Sequence, residues 1–407
     1  MVFTFRSILL VLVAGLARAD EFSPPTSYYG PAVGLTGTSL DTALRTIVGA
    51  HSVRTYDQLR QDLALTDRDW NFPPSTPSAV TNILLIYSNG WSGESRSGVW
   101  DSGVTWNREH VWPDSRGIGQ PDSGPDFSDL HHLRAANPSV NSSRSNSYFD
   151  MGGNIAPVIQ SPLAHATSST WEPPDIDKGW VARACLYMAT RYDGTEPNTL
   201  NLELVESPPL STITNPPQMG RKSTLLLWNR KHPPSQWERR RNQIIYDQFQ
   251  HNRNPFIDHP EFADVIYEQP AGVETLMTWK YRHFSLDELS AETVSGDAAD
   301  PDGDGKSNLL EFALAGNPRG SGVSDEPVLS KSSTPGYLVF TYRRQRDRLL
   351  SGVTYSVETS ADLTQWQLAN GVESSVTIAG STELATVVLV DQGSPMLFAR
   401  LKVSRLP

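Results

Sequence analysis

The chain has 407 residues, with 34 Lys and Arg against 45 Asp and Glu, a formal net charge of -11, 11 Trp, 30 Pro, 29 Gly and one Cys. That length allows two or three domains with real cores, and a single Cys excludes a disulfide scaffold and any cysteine-based zinc cluster. The acidic balance argues against a protein coated with basic charge and so, at first sight, against nucleic acid as a partner.

At the N-terminus, Arg6 precedes an apolar run from Ile8 to Leu16, followed by Ala17-Arg18-Ala19. This is the pattern of a signal peptide cut before Asp20, with residues 1–19 removed. The run is too short for a membrane span, and no later stretch approaches the roughly 20 apolar residues that spanning requires. A secreted, soluble chain (extracellular, periplasmic or at the cell surface) is expected, one that relies on packing and bound ions in place of disulfides.

Three blocks follow: 20–284, 285–325 and 326–407. The first is rich in Trp, Tyr, His, Arg and Pro. Leu40, Leu44 and Ile47 repeat at helical spacing, and Val80 to Tyr87 is an apolar run compatible with helix or strand. Lys178 to Arg191 places Trp180, Val181, Ala184, Cys185, Tyr187 and Met188 on one apolar stripe. Cys185, inside that stripe, reads as a small buried hydrophobe with no activating group beside it. The last block alternates in period two through 337–342, 353–358, 376–378, 385–390 and 396–403, as expected of a small antiparallel sandwich.

The chemistry concentrates between Trp106 and Asn146. A carboxylate and an amide oxygen are hard ligands suited to Mg²⁺, which keeps several waters for a substrate phosphate. A neutral His beside such an ion can take a proton from water, and Arg can hold phosphate oxygens in a fork. Together these parts make a phosphodiester hydrolase. Locally, Thr105 to Val111 is expected as a strand ending at Pro113, and Asp129 to Leu133 as a second. A helix then starts at Pro138-Ser139, with Asn141, Arg144 and Ser145 on one face.

Three segments, Asn107-Arg108-Glu109-His110-Val111-Trp112-Pro113, Asp129-Leu130-His131-His132-Leu133 and Val140-Asn141-Ser142-Ser143-Arg144-Ser145-Asn146, resemble the signature of the endonuclease I family of secreted bacterial nucleases, within the ββα-metal (His-Me finger) group. The resemblance extends over most of Ser27 to Glu268, through Gly179 to Gly194, Leu225 to Asn242 and Asn252 to Pro260. It implies an α+β protein: a ββα-metal nuclease core within a mostly helical domain, here followed by an EF-hand-like calcium loop and a small all-β module. It also implies His110 as general base, Glu109 and Asn141 as ligands of a hydrated Mg²⁺, and cleavage of DNA or RNA to 5′-phosphate ends. Ala135-Ala136 stands where relatives commonly carry Pro-Thr, a departure that leaves the ligands unaltered.

Arg108, Arg134 and Arg144 are candidate clamps for the scissile phosphate. His131 and His132 would face opposite sides of a strand, so only one could point into the site. The Asn252 to Pro260 segment reads as a structural lock. Resolved along the chain, charge tells a different story from the total. Eight basic residues stand against two acidic ones between Asn215 and Pro255, a segment able to supply salt-dependent phosphate attraction. Eight acidic residues stand against two basic ones from Ser285 to Gly320.

Within that acidic block, Asp300-Pro301-Asp302-Gly303-Asp304-Gly305-Lys306-Ser307-Asn308-Leu309-Leu310-Glu311 matches the twelve-residue calcium loop. Asp300, Asp302, Asp304 and Glu311 would supply carboxylates, Lys306 its backbone carbonyl, and Asn308 a side chain or a bound water. A structural Ca²⁺ hinge, distinct from the catalytic metal, is the expectation. Two functions follow: an extracellular, Mg²⁺-dependent, sequence-nonspecific endonuclease acting on DNA, RNA or both, or a noncatalytic, calcium-stabilised polyanion- or surface-binding protein. The partner of the C-terminal module cannot be read from the sequence.

Overall fold

The structure is a computed structural model that describes residues 21–70, 82–88, 95–119, 121–156, 161–212, 214–267, 274–289, 291–320, 326–346, 351–369, 371–379, 382–390 and 398–405. The signal-peptide segment lies outside the described residues. Helices and strands are mixed, as an α+β class requires, and no helix among the described residues is long and apolar enough to cross a membrane.

Helix α1 (Gly37–Gly49) buries Leu40, Leu44 and Val48 at a spacing of four, one stripe of a surface helix. Helix α2 (Leu59–Thr66) follows, and the apolar run that was ambiguous between helix and strand forms β1 (Asn82–Leu84), antiparallel to β2 (Ser95–Ser97). Strands β3 (Asn107–His110) and β4 (Leu133–Ala136) form an antiparallel pair in which Glu109 faces Arg134 and His110 faces Leu133. Helix α3 (Pro138–Arg144) comes next, with Asn137 as N-cap: its Oδ1 accepts from the Ser139 and Val140 amides, and Pro138 occupies the first turn, where no amide proton is needed.

The second strand therefore begins four residues later than the spacing suggested. Asp129 to His132 is a turn in which the Leu133 and His132 amides both reach the Asp129 carbonyl. Its cause is the Asp129 carboxylate, 1% exposed, which accepts from the Tyr187 and Tyr192 hydroxyls (both 2.8 Å), Gln250 Nε2 (3.1 Å) and the His131 amide (2.9 Å). A buried carboxylate must collect such donors, and the chain bends to deliver them. On α3, Arg144 is the last helical residue and Ser145 turns to φ 51°, so Ser145 leaves the face expected for it.

Helix α4 (Asp175–Arg191) is the central element, with α1 and helices α5 (Lys222–Lys231) and α7 (Pro255–Asp258) packed around it. Its expected single stripe is an almost complete burial: Trp180, Val181, Ala184, Cys185, Tyr187 and Met188 are inside, and so are Arg183 and Arg191. Burial pushes the Cys185 thiol up to about 12, in keeping with a packing role. Arg183 is admitted because Glu238, in helix α6 (Gln236–Ile244), meets it with two oxygens at 2.5 and 2.7 Å. The Asn252 to Pro260 segment is the lock it was expected to be: Arg253, fully buried, pairs with both oxygens of Asp258 (2.7 and 2.8 Å), and Asn254 caps α7.

In the C-terminal block, strands 328–331, 337–345, 382–390 and 371–379 form one antiparallel sheet in that order, and 367–368, 353–360 and 398–405 a second. Phe340, Tyr342, Val357, Ala385, Val387 and Leu389 share the core between them, the layering of a sandwich. The connecting segment is packed, in contrast to a free hinge. Phe312 is fully buried in a cluster with Leu276, Trp279, Phe284 and Val353. Its carbonyl accepts from Gln345 Nε2 (2.9 Å), and the Ala313 carbonyl accepts from the Tyr355 hydroxyl (2.7 Å).

One carboxylate ties the β3–β4 pair to the helices behind it. Asp67 Oδ1 accepts from Arg134 Nε (2.9 Å) and Arg241 Nε (2.7 Å), and Oδ2 from the Ala135 amide (2.9 Å), all three groups being buried. Asp67→Ala strands two buried guanidinium groups, and a loss of about 3–5 kcal/mol is expected. Urea unfolding checks this; a loss under about 1 kcal/mol would show that the charges relax to water.

Candidate active site

A cleft of about 470 Å³ opens along β3 and the start of α3, lined by Asn107, Arg108, Glu109, His110, Asn141 and Arg144 together with Tyr56, Asp114 and Phe127. The strand–strand–helix order thus brings residues from 107 to 144 to one opening. Glu109 and His110, adjacent on a strand, both line it because β3 ends at His110 and the chain turns toward Pro113.

His110 is 9% exposed, and its Nε2 lies 3.0 Å from the Phe127 carbonyl oxygen. A carbonyl only accepts, so Nε2 must carry the proton, and in the neutral ring Nδ1 keeps the lone pair. Burial lowers its pKa to about 4, against the opposing pull of the Phe127 carbonyl, and the ring is neutral at pH 7. The ring is held on its other sides by Phe127 (centroids 4.6 Å apart) and Tyr56 (5.9 Å).

Glu109 is 2% exposed. Tyr87 donates its hydroxyl to Oε1 (3.0 Å), and Arg144 Nη1 lies 3.3 Å from the same atom, so neither uses Oε2. Burial pushes its pKa up to about 7 although Arg144 and Tyr87 pull it down. Two partners thus compensate this buried charge only in part, and a further cation is the natural complement. Asn141 donates Nδ2 to Asn107 Oδ1 (2.9 Å) and to the Arg108 carbonyl (3.3 Å). Its oxygen remains for an electrophile. A carboxylate oxygen and an amide oxygen on one wall are a hard-ligand pair of the kind that Mg²⁺ takes while keeping most of its waters.

The three arginines separate. Arg108 lines the cleft, partly exposed, its guanidinium stacked 3.4 Å from the Tyr56 ring centroid and donating to the Tyr56 carbonyl (2.5 Å). Arg144 is fully buried and donates to the His110 and Val111 carbonyls (3.1 and 2.6 Å), so it braces the end of β3. Arg134 does not line the cleft: it is bound to Asp67 and lies 4.0 Å over the Trp180 ring, behind the sheet. The expectation that Arg134 clamps phosphate is therefore corrected. His131 and His132, in the turn, are also inward: His131 Nε2 meets Asn252 Oδ1 (3.1 Å) and His132 Nε2 the Asp126 carbonyl (2.9 Å).

The base-rich segment 215–255 is less available than its composition suggests. Arg241 and Arg253 are internal, and Arg221 and Arg230 pair with Asp150 (3.3 Å) and Asp264 (2.9 Å). In the acidic block, one oxygen from each of Asp300, Asp302 and Asp304 lies within 4.8 Å of the others, and Gly303 and Gly305 have φ of 73° and 91°, which a tight loop requires. Asn308 is fully buried: its Nδ2 donates to the Val294 and Gly296 carbonyls (2.9 and 2.8 Å), and its Oδ1 accepts no hydrogen bond.

The endonuclease I family model matches residues 36–261, a span that contains the whole cleft. The chain belongs to the endonuclease I family. Extracellular ribonucleases of Bacillus amyloliquefaciens and Bacillus subtilis (strain 168) are similar: 42% identical over 241 residues (59% of this chain and 78% of the relative) and 41% over 258 residues (63% and 83%). Family membership makes the chain a phosphodiester hydrolase. In this endonuclease I chain, sequence reasoning missed Tyr87, which steadies Glu109 from 22 residues away, and Phe127, which acts through a backbone carbonyl. Tyr56 was missed as well: it stacks on Arg108 from 52 residues away.

Burial also lowers His131 to about 4 and His132 to about 3. The three histidines stay neutral in the folded state, whereas in the unfolded chain each takes up a proton below about pH 6.5. Between roughly pH 4 and 6.5 these rings make the unfolded state bind more protons, each by up to about 1.4 kcal/mol per pH unit, while Glu109 and Asp177, raised to about 7 and about 6, act the other way; the three rings outweigh the two carboxyls and stability falls as pH falls. Urea midpoints at about pH 7.5 and about pH 5 test this, and equal midpoints would contradict the buried, neutral assignment.

Proposed function

We propose that the chain is a secreted, metal-dependent, sequence-nonspecific endonuclease that hydrolyses DNA, RNA or both to 5′-phosphate products. The observation that carries this reading is the Nε2 contact of His110 to the Phe127 carbonyl, which leaves Nδ1 as the base in a cleft that also holds Glu109 and Asn141. Secretion is supported by the apolar N-terminal run and by the two relatives, both named extracellular ribonuclease.

His110 Nδ1 takes a proton from water as the water oxygen forms its bond to phosphorus and the bond from phosphorus to the 3′ oxygen breaks. The resulting imidazolium keeps its Nε2 proton on the Phe127 carbonyl, which favours the charged ring. Arg108 holds a non-bridging phosphate oxygen with the part of its guanidinium that faces the cleft. Arg144 acts by position: it fixes the His110 carbonyl and Glu109 Oε1 together, and with them the distance between base and ligand. Glu109 Oε2 and Asn141 Oδ1 would hold Mg²⁺, which when bound neutralises charge on the scissile phosphate and the leaving oxygen. His110→Ala is expected to lower plasmid nicking and RNA cleavage by about 10²–10⁴-fold with the fold retained. Chelator should abolish wild-type cleavage. Near-normal activity in the variant, or cleavage indifferent to chelator, would overturn the mechanism.

We also propose Ca²⁺ at the acidic loop, through Asp300, Asp302, Asp304, Glu311, the Lys306 carbonyl and Asn308, by its side chain or a bound water. The loop already draws one positive charge, Lys306 Nζ, to Asp304 Oδ2 (2.5 Å) and Glu311 Oε1 (3.5 Å). Calcium titration by calorimetry should reveal a site that is lost in Asp302→Ala; the same heats in both proteins would refute it.

A further inference from the structure

Tyr87 is fully buried, lines no part of the cleft, and has a φ of 69°. A left-handed backbone is rare for an aromatic residue and persists only where the surroundings over-determine it. Here the surroundings are two side chains from far along the chain. The Tyr87 amide donates to Asp177 Oδ2 (2.9 Å), in the first turn of α4, and the Tyr87 carbonyl accepts from the Ser161 hydroxyl. Ser161 is fully buried and Asp177 nearly so, and neither lines the cleft. One residue earlier, the Ile86 amide donates to the Ala135 carbonyl of β4 (2.9 Å). The backbone is thus held at each of its polar groups, and what it delivers is the hydroxyl.

That hydroxyl reaches Glu109 Oε1 (3.0 Å), the same atom that Arg144 Nη1 approaches (3.3 Å). Two donors from different parts of the fold converge on one carboxylate oxygen and leave the other for an ion. Mg²⁺ demands near-ideal octahedral geometry and takes few protein ligands, so it benefits from a carboxylate that cannot swing. The groups that orient a ligand from behind in this way contribute nearly as much to metal affinity as the ligand itself. A buried tyrosine requires only some acceptor for its hydroxyl. A left-handed backbone clamped at amide and carbonyl by two remote side chains goes beyond that requirement, and aim is what it adds.

We propose that Ser161 and Asp177 are positioning residues for the metal ligand: through the strained Tyr87 backbone they fix the hydroxyl that holds Glu109 Oε1, and so set Oε2 as the oxygen offered to the ion. This rests on the nuclease reading above and extends its machinery to two residues outside the cleft.

The test uses the full-length protein and measures Mn²⁺ binding without substrate, by electron paramagnetic resonance of the free ion, next to plasmid nicking with Mg²⁺. Glu109→Gln identifies the cleft site as the binding that it removes. Tyr87→Phe and Ser161→Ala are each expected to weaken that site about ten-fold, and to raise the Mg²⁺ concentration for half-maximal nicking by the same factor. The double variant should bind the ion as Tyr87→Phe alone does, because Ser161 acts through the hydroxyl that is then missing. A merely structural role for Ser161 gives additive losses, about a hundred-fold in the double variant, and overturns the proposal. A wild-type Mn²⁺ constant in Tyr87→Phe overturns it as well. Should Ser161→Ala fail to fold, Asp177→Asn takes its place in the cycle with the same two outcomes. Absence of cleavage by the wild-type protein at every Mg²⁺ concentration is a different result: it overturns the nuclease reading itself, and the positioning role with it.

Discussion

The strand pair that carries Glu109 and His110 hangs on one buried carboxylate. Asp67 gathers Arg134 from β4, Arg241 from α6 and the Ala135 amide, and Arg241 spends its remaining donors on the Leu130 and Leu133 carbonyls (2.8 and 2.7 Å). The turn before β4, the strand itself and the helix behind it therefore share a single ionic centre. Buried charge is tolerated only when nearly every lone pair and proton is matched, and such matching admits few alternative arrangements. The cleft has its own version of this rule on the opposite side, where Arg144 joins Glu109 to the carbonyls at the end of β3. Proton transfer and phosphate binding depend on positions held to fractions of an ångström. The chain secures them with buried ion pairs, which are stiff because they are expensive to break.

How much of this was legible in the sequence follows from the range of each interaction. The helix start at Asn137-Pro138 was readable because cap and first turn are local chemistry. Arg108, Glu109, His110, Asn141 and Arg144 were readable as neighbours because they fall in short segments joined by a strand–strand–helix order, and one cleft holds all five. The second strand was misplaced because Asp129 bonds to Tyr187, Tyr192 and Gln250, between 58 and 121 positions away, and no short period encodes such partners. Arg134 looked like a phosphate clamp for the same reason: composition shows a guanidinium, and only the fold shows Asp67 in front of it. The Phe127 carbonyl has no sequence signature at all, because every residue has one.

Charge needs the same correction by geometry. The base-rich segment 215–255 was set against the net charge of -11 as a source of phosphate attraction. Arg241 and Arg253 prove to be internal struts, and Arg221 and Arg230 are paired at the surface. Arg108, outside that segment, is the guanidinium partly exposed in the cleft, and its stacking on Tyr56 holds it there without cancelling its charge. On the proposed reading, attraction for a polyanion would be placed at the reacting phosphate, where it can favour the transition state, with less spread over the surface, where it would only favour binding.

The acidic loop is joined to the rest of the molecule in an equally direct way. Its last carboxylate, Glu311, is 3% exposed and is followed at once by Phe312, which fills the space between Trp279 of the nuclease block and Val353 of the β module. Gly316 closes over the same carboxylate: a Cβ there would stand 1.8 Å from Glu311 Oε2, so any larger residue would have to push the Glu311 side chain aside. Because Glu311 and Phe312 are neighbours on one short helix, 308–314, whatever fixes the carboxylate also fixes the aromatic ring. The ring is the apolar contact between the two blocks, reinforced by Gln345 and Tyr355 on the adjacent carbonyls. A linker packed in this way holds the β module against the nuclease block, which a flexible polar tether of the same length could not do.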